Sequence, residues 1–272
     1  MPYKGKYPER IVCLTEETTE LLCLLGEEDR IVGISQYTVR PSGIQNRKPV
    51  VCRYIDADVE AIEAVKPDVV FAWSNLQAEI CKELITKGIE VYCFNHRGIS
   101  GVLDLTLKVG GILGIPEKAE ALHIEFSEKL DDFAQLSNST DIAEKPRVYF
   151  EEWPKPIITS IRYVNEAIGL AGGINLFAKY SESHSAGGRI IEDDNQIINS
   201  NPDIILASWC GKPFNKRQLL KRKYWDSITA VKNDFIYELP SDIILQPGPA
   251  LITEGIPMMA EIFDNWRKSR SV

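Results

Sequence analysis

The chain has little of what announces a membrane span or a metal centre. No apolar run reaches the roughly 18 residues that a spanning helix needs. There are three histidines, His96, His123 and His184. They are scattered, with no His-x-x-x-His spacing to put two imidazoles on one helix face. The six cysteines include no Cys-x-x-Cys pair, which argues against a zinc ribbon or a thioredoxin motif. Cys13, Cys23 and Cys93 lie in apolar runs and read as buried free thiols. No glycine-rich turn follows the first apolar run, where Leu14-Thr15-Glu16-Glu17-Thr18 stands instead. That excludes a dinucleotide-binding turn. No P-loop and no Gly-x-Ser-x-Gly elbow occur, which removes P-loop and α/β-hydrolase chemistry. Basic charge is also short: 31 Lys and Arg against 39 Asp and Glu give a net charge of −8. Nucleic acid is therefore not an expected partner. Residues 1–10 lack the apolar stretch of roughly 7–15 residues that a secretory signal carries. The expectation is a cytoplasmic chain unless a leader has been removed.

What is present is an alternation of strand and helix over 272 residues, of which 44% are hydrophobic. Arg10–Leu14 and Arg30–Ser35 read as strands, with a helix over Thr18–Leu25 stopped by Gly26. Asp58 caps a helix over Val59–Val65 that Pro67 ends. Strands over Asp68–Trp73 and Ile89–Phe94 flank a helix over Gln77–Lys87. Covered parallel sheets are implied. A long helix starts at Ile115-Pro116-Glu117 and repeats apolar residues at Leu122, Phe126, Leu130 and Phe133, to about Gln135. Ser137–Thr140 reads as a loop, and Arg147–Phe150 resumes the α/β pattern.

The chain also repeats itself. Asp58–Trp73 and Asp193–Trp209 each hold a short helix, a Pro-Asp break, a β-branched run and a tryptophan. Pro67 and Pro202 lie half the chain apart. Glu20–Gly26 and Glu166–Gly172 form a second matched pair in the same order. The period is too long for a solenoid, so the chain reads as a duplicated domain. The expected division is an α/β lobe over residues 1–114, a linking helix over 115–137 and an α/β lobe over 138–272.

These segments carry a resemblance. Arg10–Thr15, Val59–Val70, Gly169–Phe177 and Asn201–Leu206 look like the helical-backbone solute-binding proteins of ABC importers for cobalamin, iron siderophores and haem. The similarity spans about residues 10 to 265. Within that superfamily, Tyr54, Ala72-Trp73 and Gly248-Pro249-Ala250 after Ser241-Asp242 most resemble the cobalamin receptors. The resemblance implies two Rossmann-like α/β lobes, a stiff linking helix and a ligand cleft between lobes. It implies a binding protein without catalysis and without a required cofactor, and a corrinoid as ligand. Tyr37, Tyr54 and Trp73 match first-lobe aromatic contacts, and Asp242 a second-lobe polar contact. Trp153 and Trp209 follow strand ends and are expected at the same cleft. A corrinoid is a broad ring edged with amides, which aromatic faces cover and a few polar groups orient.

The same resemblance implies an ABC permease dimer as partner, docked through one acid on each lobe. Glu60 matches the first. Asn195 stands at the second, with Asp194 beside it as the substitute. Gln246 replaces an arginine frequent in cobalamin receptors. The family is usually periplasmic or cell-surface, and a monomer is expected. Two other readings stay open. Arg53, Arg162 and Arg189 would suit an anionic iron chelate, with His96 or His184 as a metal ligand. An enzyme that modifies corrinoids or metal clusters on this architecture would need clustered Cys or His, and none is visible. Glu151-Glu152 make a poor glycosidase pair, because neighbouring strand residues face opposite ways.

Overall fold

The computed structural model describes residues 6–53 and 57–270. It divides into two compact units. The first contains Met1–His96 and Ser100–Ser127, and the second Arg97–Ile99 and Glu128–Val272.

The first unit is built on β1 (Ile11–Cys13), α1 (Glu16–Leu24), β2 (Ile31–Ser35), β3 (Val50–Cys52), α2 (Val59–Ala64), β4 (Val69–Trp73), α3 (Ala78–Thr86), β5 (Val91–Phe94) and α4 (Ser100–Leu113). The sheet order is β3-β2-β1-β4-β5, and every pairing is parallel. Both faces are covered, so β1 and β4 read as unbroken apolar runs and are buried throughout. Asp58 caps α2 as expected, accepting the Ala61 N–H at 2.9 Å. Strand β3 and helix α4 went unanticipated. At Gly110 an added Cβ would come within 2.1 Å of the Ala119 Cβ, so glycine lets the two helices touch there.

The long helix α5 runs from Pro116 to Ser139 and passes from one unit's residues to the other's after Ser127. The loop expected at Ser137–Thr140 is corrected, since residues 137–139 are helical. Their hydroxyls are satisfied on the helix or beside it. Ser139 and Thr140 each donate to the Leu136 carbonyl at 2.9 Å, and Ser137 donates to Gly169 O at 2.8 Å.

The second unit contains β6 (Arg147–Glu151), β7 (Trp153–Pro154), β8 (Ile157–Ile158), α6 (Arg162–Leu170), β9 (Ile174–Asn175), α7 (Asn195–Ser200), β10 (Ile204–Ala207), α8 (Lys216–Leu220), α9 (Thr229–Lys232), β11 (Ile236–Glu238), α10 (Ser241–Ile244) and α11 (Ile256–Arg270). Its parallel sheet has the order β11-β10-β6-β9, and β7-β8 form a small antiparallel hairpin. Aligning β6, β9, β10 and β11 with β1, β2, β4 and β5 gives one order for both units. Tyr149, Phe177 and Trp225 meet edge-to-face in its core.

The Pro-Asp repeat has a physical job that both units share. Lys66 (φ +47°) and Asn201 (φ +46°) turn left-handed and end α2 and α7. The Asp68 carboxylate then accepts the N–H of Glu9 at 2.8 Å and of Arg10 at 2.9 Å. The Arg10 guanidinium reaches back to the carbonyls of Val65 at 2.6 Å and Lys66 at 2.9 Å. In the second unit Asp203 accepts the Arg147 N–H at 2.9 Å, and Arg147 donates to Ser200 O at 2.5 Å and Asn201 O at 3.2 Å. Orphan carbonyls at a helix end are thereby satisfied by the residue that opens the central strand. Gly26 (φ +74°) and Gly172 (φ +89°) do the same for α1 and α6. The following N–H groups bond back to Leu22 O at 2.8 Å and Ile168 O at 2.9 Å.

Candidate functional site

In open α/β sheets, ligands gather at the carboxyl ends of the strands. In the first unit these ends carry Leu14-Thr15, Ser35-Gln36-Tyr37, Trp73-Ser74 and Asn95-His96. Trp73 closes β4 and is held at both ends. Its backbone N–H donates to Gln77 Oε1 at 2.9 Å, and Gln77 Nε2 donates to Leu14 O at 3.2 Å. Its indole N–H donates to His96 O at 3.1 Å, and the two rings meet edge-on at 6.1 Å. Ser74 follows at φ +69°, ψ 174°, a conformation costly for a residue with a side chain. Its hydroxyl accepts the Leu76 N–H at 3.3 Å, so the turn after Trp73 is tightly specified.

Trp73 is only 4% exposed. Trp73→Ala would therefore open a cavity in the fold, costing roughly 3–5 kcal/mol, and would not report on binding alone. Tyr37 is the accessible aromatic here, 46% exposed just beyond β2. Tyr54 lies outside the described residues. Beside the β1 end, the start of α1 buries Thr15, Glu17, Thr18 and Thr19. The Thr15 hydroxyl donates to Glu17 Oε1 at 2.5 Å. Burial pushes the Glu17 carboxyl up to about 7, and the Thr15 bond only partly offsets it.

The second unit's strand ends are built on charge. Glu151 closes β6 fully buried. It accepts from Arg222 at 2.5 and 2.9 Å, from Tyr149 Oη at 2.7 Å and from Trp209 Nε1 at 3.1 Å. The Arg222 guanidinium also lies 4.5 Å from the Trp225 ring. Burial pushes the Tyr149 phenol well up, and the neighbouring Glu151 charge adds to it. Glu152 instead pairs with Arg189, whose other contact is Thr159 O at 2.6 Å. The two adjacent carboxylates therefore serve separate ion pairs, as opposite strand faces require.

Trp209 is 3% exposed and Trp153 half-buried. The Lys212 ammonium sits 3.7 Å from the Trp153 ring centre and 5.0 Å from that of Trp209. Asp242 is half-buried in the first turn of α10. Glu60 is exposed in the first turn of α2. Asp194 stands at the N-cap of α7 without capping it, and Asp193 accepts the Asn195 N–H at 3.0 Å instead. The structure thus gathers Trp153, Trp209 and Lys212, and it gathers Trp73 with His96. Sequence reasoning missed Lys212, Gln77 and the partners of Glu151. Lys212 stood in plain view in Trp209-Cys210-Gly211-Lys212, but nothing local says that an ammonium lies on an indole.

The thiols also need correcting. Cys13, Cys52 and Cys81 are buried and Cys23 is half-buried, but Cys93 and Cys210 are exposed. Cys93 lies on the edge strand β5, where burial is incomplete. Among the described residues no group of three or more His, Cys, Asp or Glu could hold a metal ion. None of their helices is long and apolar enough to cross a membrane.

Both units thus present polar and aromatic groups at the carboxyl ends of a parallel sheet. Residues 11–243 match the periplasmic binding protein family, and the chain belongs to it. Its family is one of binding proteins and not of enzymes. It is 27% identical over 263 residues to the uncharacterized ABC transporter substrate-binding lipoprotein YvrC of Bacillus subtilis, covering 94% of this chain and 80% of that one. It is 26% identical over 263 residues to the cobalamin-binding protein of Halobacterium salinarum, covering 95% and 70%. Its fold is similar to that of the periplasmic heme-binding protein RhuT from Roseiflexus sp. RS-1, with a TM-score of 0.81 at 21% identity, covering 97% and 100%.

Proposed function

We propose that this protein captures cobalamin or a related corrinoid and delivers it to an ABC permease dimer. The observation that carries this reading is the likeness, over nearly the whole chain, to a relative named for cobalamin binding. The state of Arg162 and Arg189, two of the three arginines that the iron-chelate reading named, supports it. An anionic iron chelate or haem would favour guanidinium groups held ready for its charge. Arg189 is already neutralised by Glu152, and Arg162 by Glu166 at 2.9 Å. A corrinoid needs no such cation, since its ring asks for apolar faces and its edge amides for hydrogen bonds. Tyr37 and Trp153 are the aromatic faces we assign to it, with Tyr54 and Asp242 as further contacts. Trp73 and Trp209, both buried, are assigned as fixed supports of the strand ends in their own units. Glu60 and Asp194 are the assigned docking acids for the permease.

The test is calorimetric titration with cyanocobalamin, haem and a ferric siderophore. One-to-one corrinoid binding is expected, with Tyr37→Ala and Trp153→Ala each weakening it about tenfold, or roughly 1.4 kcal/mol. Uptake of the iron chelate or haem, with none of cobalamin, would overturn the ligand.

A further inference from the structure

Helix α3 and edge strand β5 bring two thiols of the first unit together. Cys81 is 7% exposed and belongs to the apolar cluster that includes Val70 and Ala72 of β4. In the parallel β4–β5 pair, Ala72 stands opposite Cys93 and Val70 opposite Val91. Register partners share a face of the sheet. The Cys93 side chain therefore leaves β5 on the face that α3 covers, and Val91 packs on the same cluster. The Cys93 thiol bears directly on Cys81, and its Sγ also lies 3.6 Å from Ser74 O and 3.8 Å from Phe94 O. Cys93 is also solvent-exposed, because β5 ends the sheet.

We propose that Cys81 and Cys93 form a redox-active pair that closes an intramolecular disulfide when the protein meets a small-molecule disulfide oxidant. Exposure sets the order of events. The Cys93 thiolate attacks one sulfur of the oxidant, whose S–S bond breaks and releases the first small thiolate. Cys81 then gives up its proton and attacks the Cys93 sulfur of the mixed disulfide. The second small thiolate leaves and takes up the proton. Two protein thiols are oxidised by two electrons, and one oxidant disulfide is reduced to two thiols. The Cys93 hydrogen bond first, and burial second, push the Cys81 thiol well up, so it waits as the resolving thiol rather than reacting first. The cross-link would pin the edge strand β5 to α3, in the strand that leads into His96 and the Trp73 indole contact.

The experiment incubates the full chain with oxidised glutathione, blocks remaining thiols in denaturant and maps the peptides by mass spectrometry. A linked Cys81–Cys93 peptide is expected, two hydrogens lighter than the reduced pair and lost on reduction. The oxidised protein should melt at a higher temperature than the reduced protein, reversibly with dithiothreitol. Cys93→Ser, at an exposed position, should abolish both effects, and Cys81→Ser should stop at a glutathione adduct on Cys93. Recovery of Cys93 as a stable adduct with Cys81 alkylated in the unsubstituted chain would overturn the proposal. So would recovery of both thiols fully alkylated.

Discussion

The two units use one backbone plan and opposite chemistries. Each has the Pro-Asp break, the left-handed residue before it, and an arginine that bonds the spent helix. Each ends its first helix on a left-handed glycine. Their strand ends diverge. The first unit closes on hydroxyls, amides and the carboxyl of Glu17, which is buried against a threonine. The second closes on two ion pairs, Glu151–Arg222 and Glu152–Arg189, and a lysine laid over indoles. A duplicated fold keeps what satisfies its backbone, because an unpaired buried carbonyl or N–H is costly in either copy. Side chains beyond the strand ends carry no such duty and are free to differ.

The comparison breaks most visibly at Arg222. Arg222→Met leaves Glu151 buried and uncompensated, and it should cost about 3–5 kcal/mol in urea unfolding. Adding Glu151→Leu should restore only part of that, because the Tyr149 hydroxyl and Trp209 N–H lose their acceptor. Full recovery in the double variant would show that the network is a bare ion pair.

A lone buried carboxyl should behave differently, through pH. Glu17 titrates near 7 in the folded chain against an ordinary 4.5. The folded state therefore binds the proton more tightly, and stability falls as pH rises from about 4.5 to 7. Glu17→Gln should stabilise the protein by about 2–3 kcal/mol at pH 8 and by little at pH 4.5. Thermal melts across that range check the sign, and an equal gain at both pH values would place the cause in packing.

The smallest expected effect sharpens the likeness instead. Asp68→Ala and Asp203→Ala should each cost about 1–3 kcal/mol. The Asp68 change should be the larger, since that carboxylate holds two backbone N–H groups and Asp203 holds one. Denaturant midpoints of the two variants, side by side, decide whether the locks are equivalent.

Much of the skeleton was legible in the residues. Gly26, Asp58, Pro67 and Pro202 act on neighbours a few positions away, so their consequences follow from local sterics and capping. Apolar runs of four or five residues marked β1, β2, β4, β6 and β10. Strand β3 was not legible, for Val50–Cys52 is too short to stand out. Neither was the end of α5, where hydroxyls that favour loops found carbonyls on the helix and beside it. The site was read less well. Tryptophan at a strand end predicts an aromatic near the ligand edge, and its exposure depends on what folds over it.

The sequence by itself therefore determined the alternation of elements and the duplication, because these rest on periodicity, breakers and caps that act within a turn or two, while the family showed in the resemblance of whole segments. Tertiary structure alone decided that Trp73 and Trp209 are buried, that Glu151 meets an arginine 71 residues away, and that Cys81 and Cys93 take the same face of the sheet. Those outcomes depend on which strand lies beside which and on the face each side chain takes. Sheet order and register set both, and no short stretch of residues contains them.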